Sequence, residues 1–375
     1  MAKSVFVYSD AYLGYRFNRS HPLQQVRLQM NHRLLEAFGL FERGDSDLIE
    51  PIAATDSDLL LVHTEDYVAA LRDLSNGLHV ENEGAYGFGP GDNPAFPGMY
   101  EATLLYVGAT ADAVSRINSG QNIRAFNNSG GLHHAMPGHA AGFCLANDCA
   151  LAAKWLTFDG HRVAYIDIDA HHGDGVQRIF YGDPDVLTIS LHETPLTLFP
   201  RVTGFVDEIG SGSGTGYNAN VPMLASSTDE HYQFAFEEIV NPLIDAFKPT
   251  AIVLNVGADG HWEDPLTHLG LTSHGWLNMV NHVIGYGLPV IAVGGGGYNL
   301  PTVARLWTLL QAALSEVELP NEVPADYAQR YGITHLHDIA SPNLSQSSRD
   351  ACMKNIHEVA ISLRKNVFPT HGIKS

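Results

Sequence analysis

The sequence has little cysteine: Cys144, Cys149 and Cys352 are the three in 375 residues, and no two form a CxxC pair. An odd, widely spaced set of thiols excludes a disulfide framework and a thiolate metal cluster, and it fits a reducing compartment. Positive charge is also scarce. Twenty-one Lys and Arg stand against 41 Asp and Glu, a formal net charge of −20, so the mean surface field repels nucleic acid and anionic membrane. Direct nucleic-acid binding and membrane association are therefore not expected. No run reaches the roughly 18 apolar residues of a membrane span. The opening MAKSVFVYSDAYLGY lacks the apolar block of a secretory signal, which leads to the expectation of a cytoplasmic protein. Hydrophobic residues at 45% and charged ones at 17% exclude a disordered chain. What is abundant is histidine, with 20 residues.

Length alone allows two or three domains at about 150 residues each. Short apolar runs at Val5–Tyr8, Ile123–Phe126, Val163–Ile168, Val186–Ser190, Ala251–Val256 and Pro289–Val293 read as strands. Between them, helical periodicity covers 22–39, 98–117, 146–156, 229–247, 273–285 and 301–315. Alternation of this kind predicts an α/β fold with a mostly parallel sheet and helices on both faces. Nothing resembling a linker or a repeat divides the chain, so one domain over 1–375 is expected, with helices at 323–331 and 347–366 packed outside. Gly77–Gly98, rich in Gly, Pro and Asn, is a long loop of the functional kind.

Ligands of an open parallel sheet bind beyond the carboxyl ends of its strands. Four predicted strands run there into polar segments: 127–139, 167–174, 257–264 and 294–298. Along 165–172 a period of two places Asp167, Asp169 and His171 on one face of an apolar strand. Burying carboxylates without a partner costs several kcal/mol, and no Lys or Arg lies between Arg162 and Arg178, so a cation is the economical partner. Asp259, after the strand at 251, would complete a set of two carboxylates and one imidazole; taken singly it could instead cap a loop or helix start. Such a set suits Zn²⁺ or Fe²⁺, and ligand type does not choose between them.

His133 and His134 follow a glycine-containing turn and could work as general base and electrostatic support, or could be a satisfied core pair. Asp167 and Asp174 are the carboxylates placed to orient them. Four consecutive glycines at 294–297 forfeit backbone order unless a close approach requires them. Tyr298 behind them could aim its hydroxyl at a developing oxyanion, or simply close a tight turn.

Taken together, SHPLQQVR (20–27), GDNPAF (91–96), GGLHHAMPGHAAGFCLAND (130–148), YIDIDAHHGDGVQ (165–177), TISLHETPLTLFP (188–200), NVGADGHWEDPL (255–266) and GGGGY (294–298) resemble the zinc-dependent histone deacetylases. The likeness spans about residues 5–315 and points to the bacterial acetoin-utilisation proteins close to class I. It implies the arginase/deacetylase fold, a central sheet of eight parallel strands, with a narrow tunnel leading to Zn²⁺. It also implies hydrolysis of acetyl or related acyl amides on lysine side chains of proteins, with small acylated amines such as acetylpolyamines as the alternative substrate and a non-catalytic binding module as the alternative role. By motif match, Asp169, His171 and Asp259 would hold zinc, Tyr298 would polarise the carbonyl, and His133 and His134 would be partnered by Asp167 and Asp174. Gly142, Phe143, Phe199 and Leu266 would line the tunnel, Asp92 would meet substrate at the rim, and Arg27 would lie near the acetate exit. The resemblance further implies K⁺ held by side-chain oxygens of Asp167 and Ser190 and main-chain oxygens of Asp169, His171 and Leu191. A second K⁺ would sit around Phe180, Asp183, Val186 and Tyr217. The carboxylate expected for dimanganese chemistry is replaced by Gly257, which argues against a second catalytic metal. Oligomeric state is not written in the sequence.

Overall fold

Two fully buried runs set the centre of the molecule: Val163–Asp167 and Ala251–Asn255, whose five residues each are covered on both faces. β-Branched and apolar side chains on both sides of a strand require layers on both sides, and the computed structural model, which describes residues 3–374, supplies them. Among the described residues the sheet has eight strands: β1 (Ser4–Val7), β2 (Ser46–Ile49), β3 (Arg124–Asn127), β4 (Val163–Asp167), β5 (Val186–Glu193), β6 (Asn218–Met223), β7 (Ala251–Asn255) and β8 (Val290–Val293). Their order is β2-β1-β3-β8-β7-β4-β5-β6, and every pairing is parallel. The six predicted strands are all present, with ends shifted by up to three residues. The two that periodicity did not show, β2 and β6, are the two edges.

One helical layer joins Val26–Ala37, Asp229–Ala235, Ser273–Gly285, Leu300–Ser315 and Gln346–Asn366; the other joins Glu65–Ser75, Met99–Asn118, Asp148–Phe158 and Asp174–Phe180. The predicted helix at 229–247 holds, with a π-helical turn at Phe236–Val240. Within 77–98 the only described regular element is the short 3₁₀ turn Glu83–Tyr86.

Register decides what the strand ends bring together. Asp167 lies opposite Ser190 on one side and Asn255 on the other, while Asn127 on β3 lies opposite Val293 on β8. Just past β7 the backbone is pinned by two buried tryptophans. Trp307 Nε1 donates to the Val256 carbonyl and Trp276 Nε1 to that of Gly257, both at 2.9 Å. The turn carrying Asp259 therefore starts from a fixed point.

Candidate active site

Asp169, His171 and Asp259 meet beyond the ends of β4 and β7, fully buried or nearly so, with one ligand atom from each lying within 4.8 Å of the others. His171 Nδ1 is 2.8 Å from Asp259 Oδ2 and 3.3 Å from Asp169 Oδ1. The carboxylates are held from behind by backbone: Gly296 N–H donates to Asp169 Oδ2 at 2.6 Å, and Ala170 N–H to Asp259 Oδ1 at 2.9 Å. Burial opposes a charge on His171, yet the hydrogen bonds and charges of Asp169 and Asp259 outweigh it and raise its pKa well above the ordinary value. The cluster thus demands positive charge at its centre, and a divalent cation meets that demand with an oxygen, oxygen, nitrogen donor set. Room for those carboxylates explains the glycines. A Cβ on Gly296 would fall 2.1 Å from Asp259 Oδ2, and one on Gly257 2.1 Å from Asp169 Oδ2. A side chain of any kind at 257, including a further carboxylate, does not fit.

Across a small space from this cluster stand the two histidines. His133 Nδ1 is 2.8 Å from Asp167 Oδ2, His134 Nδ1 is 2.7 Å from Asp174 Oδ1, and the two Nε2 atoms are 3.1 Å apart. Burial disfavours charge on both. For His133 the charges of Asp167 and Asp169 overcome it and lift the pKa to about 9. For His134 burial is reinforced by the charge of His133, and its pKa falls below the ordinary value despite Asp174. The network assigns N–H to both nitrogens of His133 and leaves His134 Nε2 unprotonated, its lone pair facing the His133 Nε2–H.

Tyr298 closes the third side, its ring 6.3 Å from that of His171 and 6.0 Å from that of Phe143. Burial, followed by the charges of Asp259 and Asp169, raises its pKa well above 10, so the hydroxyl keeps its proton. The cavity between these groups is about 20 Å³, lined among others by Leu23, Gly131, Gly142 and Cys144. Gly142 lies against the His134 ring, where a Cβ would approach Cδ2 to 2.4 Å, and the Phe199 ring stands edge-on to His134 at 4.9 Å. Gly142 and Phe199 also border a wider hollow of about 510 Å³ that reaches Asp92.

Other expected residues lie farther off. Arg27 is buried over Trp307 and donates from Nη1 to the Gly297 carbonyl at 3.0 Å, behind the tyrosine loop. Asp92 is exposed, and Leu266 is half-buried with its N–H on Asp264. Neither lines the small cavity. Ser190 sits beside Asp167 but its Oγ engages His192 Nδ1 at 2.8 Å, and Leu191 follows it on β5. Of the second K⁺ group, the Phe180 carbonyl accepts from Asp183 N–H and the Tyr217 carbonyl from Thr188 N–H. Val186 begins β5, and Asp183 pairs with Lys154 at 3.3 Å.

Several partners escaped the sequence reading. Tyr165 Oη donates to Asp167 Oδ2 at 2.5 Å, and its position two residues before Asp167 on the same strand face was the available signal. Asn255 has its amide nitrogen 2.9 Å from His133 Nδ1 and 3.5 Å from the Tyr165 hydroxyl. Asp264 accepts the Tyr298 N–H at 2.8 Å.

Comparison with known proteins agrees with this arrangement. A family model described as Histone deacetylase domain matches residues 21–314. The chain is 40% identical over 339 residues to the acetoin utilization protein AcuC of Bacillus subtilis, covering 88% of this chain and 87% of that one. It is 34% identical over 368 residues to histone deacetylase clr6 of Schizosaccharomyces pombe, covering 97% and 90%. Among solved structures, an HDAC homolog from Aquifex aeolicus superposes with a TM-score of 0.87 at 31% identity, over 96% of this chain and 100% of that one. An HDAC homolog complexed with SAHA gives 0.86 at the same identity, over 96% of this chain and 99% of that one. With that fold, and with the family motifs converging on one cavity, the chain belongs to the histone deacetylase family of amide hydrolases.

Proposed function

We propose that the protein removes acetyl or closely related acyl groups from lysine side chains of other proteins, using one Zn²⁺ held by Asp169, His171 and Asp259. The observation that carries this reading is the single small cavity onto which a buried cation site, a charged and a neutral imidazole, and a protonated tyrosine all open. Zinc bound there would supply Lewis-acid polarisation of the amide carbonyl and a water of lowered pKa. The chain's own groups do the rest. His134 Nε2, neutral and oriented through Nδ1 by Asp174, accepts a proton from the attacking water and returns it to the leaving amine nitrogen. His133 keeps its charge against Asp167 and stabilises negative charge in the cavity. The Tyr298 hydroxyl donates to the developing oxyanion. Phe143 and Phe199 supply flat apolar walls for a methylene stem. Monovalent cations near Asp167 and Ser190 would belong to this reading as structural ions.

Support for an acyl-lysine substrate comes from the relative named for histone deacetylation and from the structural neighbour that holds SAHA. Incubation with an acetyl-lysine peptide, an acetylpolyamine and free acetyl-lysine should release acetate fastest from the peptide. Preference for the polyamine would replace the protein substrate with a small amine, and no release from any would leave only the fold.

A further inference from the structure

The chain continues past the family-matched residues, and the continuation reaches back to the site. Between the helix ending at Ser315 and the one starting at Gln346, residues 321–337 close on themselves. Val323 N–H donates to the Thr334 carbonyl at 2.9 Å, Leu336 N–H to the Asn321 carbonyl at 2.9 Å, and His337 N–H to Asn321 Oδ1 at 2.8 Å. This closed loop presents Asp338, whose side chain is 6% exposed.

Asp338 joins three elements. Its Oδ2 accepts from Ser273 N–H at 2.7 Å and lies 2.8 Å from His261 Nε2, and its Oδ1 accepts from Arg305 Nη1 at 2.8 Å. Its own N–H donates to Ser273 Oγ at 2.9 Å. Each partner belongs to a segment that carries the site. His261 is two residues beyond Asp259. Ser273 starts the helix whose Trp276 fixes the Gly257 carbonyl. Arg305 is in the helix that begins two residues after Tyr298. His261, with no exposed surface, passes the link on: its Nδ1 accepts Glu263 N–H at 3.2 Å and its carbonyl accepts Asp264 N–H at 2.9 Å. Asp264 in turn holds the Tyr298 N–H. Because His261 Nδ1 accepts, Nε2 carries the proton toward Asp338, so the tautomer is fixed by both ends.

We propose that Asp338 is a positioning residue for Tyr298, locking the 258–264 turn to the helix behind the tyrosine through His261 and Arg305. The inference rests on the role given to Tyr298 above. A carboxylate lost from such a buried cluster leaves the His261 imidazole without its acceptor and Arg305 with only the Leu336 carbonyl, Thr302 and the more distant Glu263, and the turn then loses its fixed register. Displacement of a catalytic group by about 1 Å is enough to lower turnover by one to two orders of magnitude.

The test is Asp338→Asn in the full-length zinc-loaded protein, assayed with an acetyl-lysine peptide well below its melting temperature. Turnover should fall about tenfold or more, with KM changed by less than about twofold. Amide hydrogen exchange should quicken in segments 259–266 and 296–300, and Asp338→Glu should recover part of both. Tyr327→Phe serves as the control, since it removes another anchor of the extension, a hydroxyl bond to the Met30 carbonyl at 2.9 Å. It should leave turnover and exchange in those segments as they were. Wild-type turnover and exchange in folded Asp338→Asn would overturn the proposal, as would equal effects from Tyr327→Phe. Should Asp338→Asn not fold, His261→Phe, which spares the Arg305 pair, is read by the same criteria. Exchange needs no catalysis, so a wild-type protein inactive on the peptide would defeat the amidase reading while the clamp is still tested.

Discussion

His133 and His134 are neighbours in sequence and in space, yet their surroundings pull their protons in opposite directions. Asp167 and Asp169 keep His133 charged up to about pH 9, whereas burial and the charge of His133 keep His134 neutral below its ordinary value. Turnover should therefore rise on the acid side as His134 sheds its proton and fall on the alkaline side as His133 loses its own. A rate profile on acetyl-lysine peptide checks this, and in His133→Gln the alkaline fall should disappear. His134→Ala should cost roughly 10²–10⁴ in turnover, the usual size of a general base. In the proposed mechanism Tyr298 is one donor to the oxyanion, so Tyr298→Phe should cost about 10²–10³ while zinc content by mass spectrometry stays unchanged. Near wild-type turnover in either variant would remove that residue from the mechanism.

The segment 130–148 is the element that places the histidine pair, and its rigidity comes from residues outside the cavity. Asn147 Nδ2 donates to the carbonyls of both His133 and Ala135 at 3.0 Å, and Asp148 accepts the N–H groups of Gly131 and Leu132. His63 pins the same segment, with Nδ1 on the Met136 carbonyl and Nε2 accepting Asn147 N–H, each at 3.0 Å. Burial lowers its pKa from 6.5 to about 4. Below pH 6.5 the unfolded chain takes up a proton that the folded one refuses, so stability falls as pH drops from 6.5 to 4, by about 3 kcal/mol from this group. Denaturant titrations at pH 7, 6 and 5 should show that decline, and His63→Gln should flatten it; an unchanged slope in the variant would contradict the assignment.

Elements also show what the sequence could and could not reveal. Interior strands such as VAYID and AIVLN announce themselves because both faces are buried. The edge strands SDLI and NANVPM do not: SDLI is only partly buried with Leu48 exposed, and NANVPM breaks its apolar run with two buried asparagines and a proline that an interior strand would refuse. The residues that meet in the cavity were legible because a strand face rich in acid and a run of four glycines both violate ordinary core patterns. Asn255, Asp264 and Asp338 were not, because each is an ordinary polar residue made special only by what folds against it.

At the scale of the whole molecule, the parallel sheet is the device that gathers chemistry. Strands β3, β4, β7 and β8 are adjacent in space though scattered in sequence, so the loops after them converge at one end. Among the described residues no helix is long and apolar enough to cross a membrane. The cluster at that convergence has three ligand residues, and a Cβ on Gly257 would collide with the Asp169 carboxylate. The central claim of the proposed function is therefore one zinc in that cluster, required for amide hydrolysis. Its most direct test is acetate release from an acetyl-lysine peptide as the chelator-stripped protein is titrated with zinc. The account predicts a rate that climbs from near zero to a plateau at one equivalent; no release at any ratio, or a plateau at two equivalents, would contradict it.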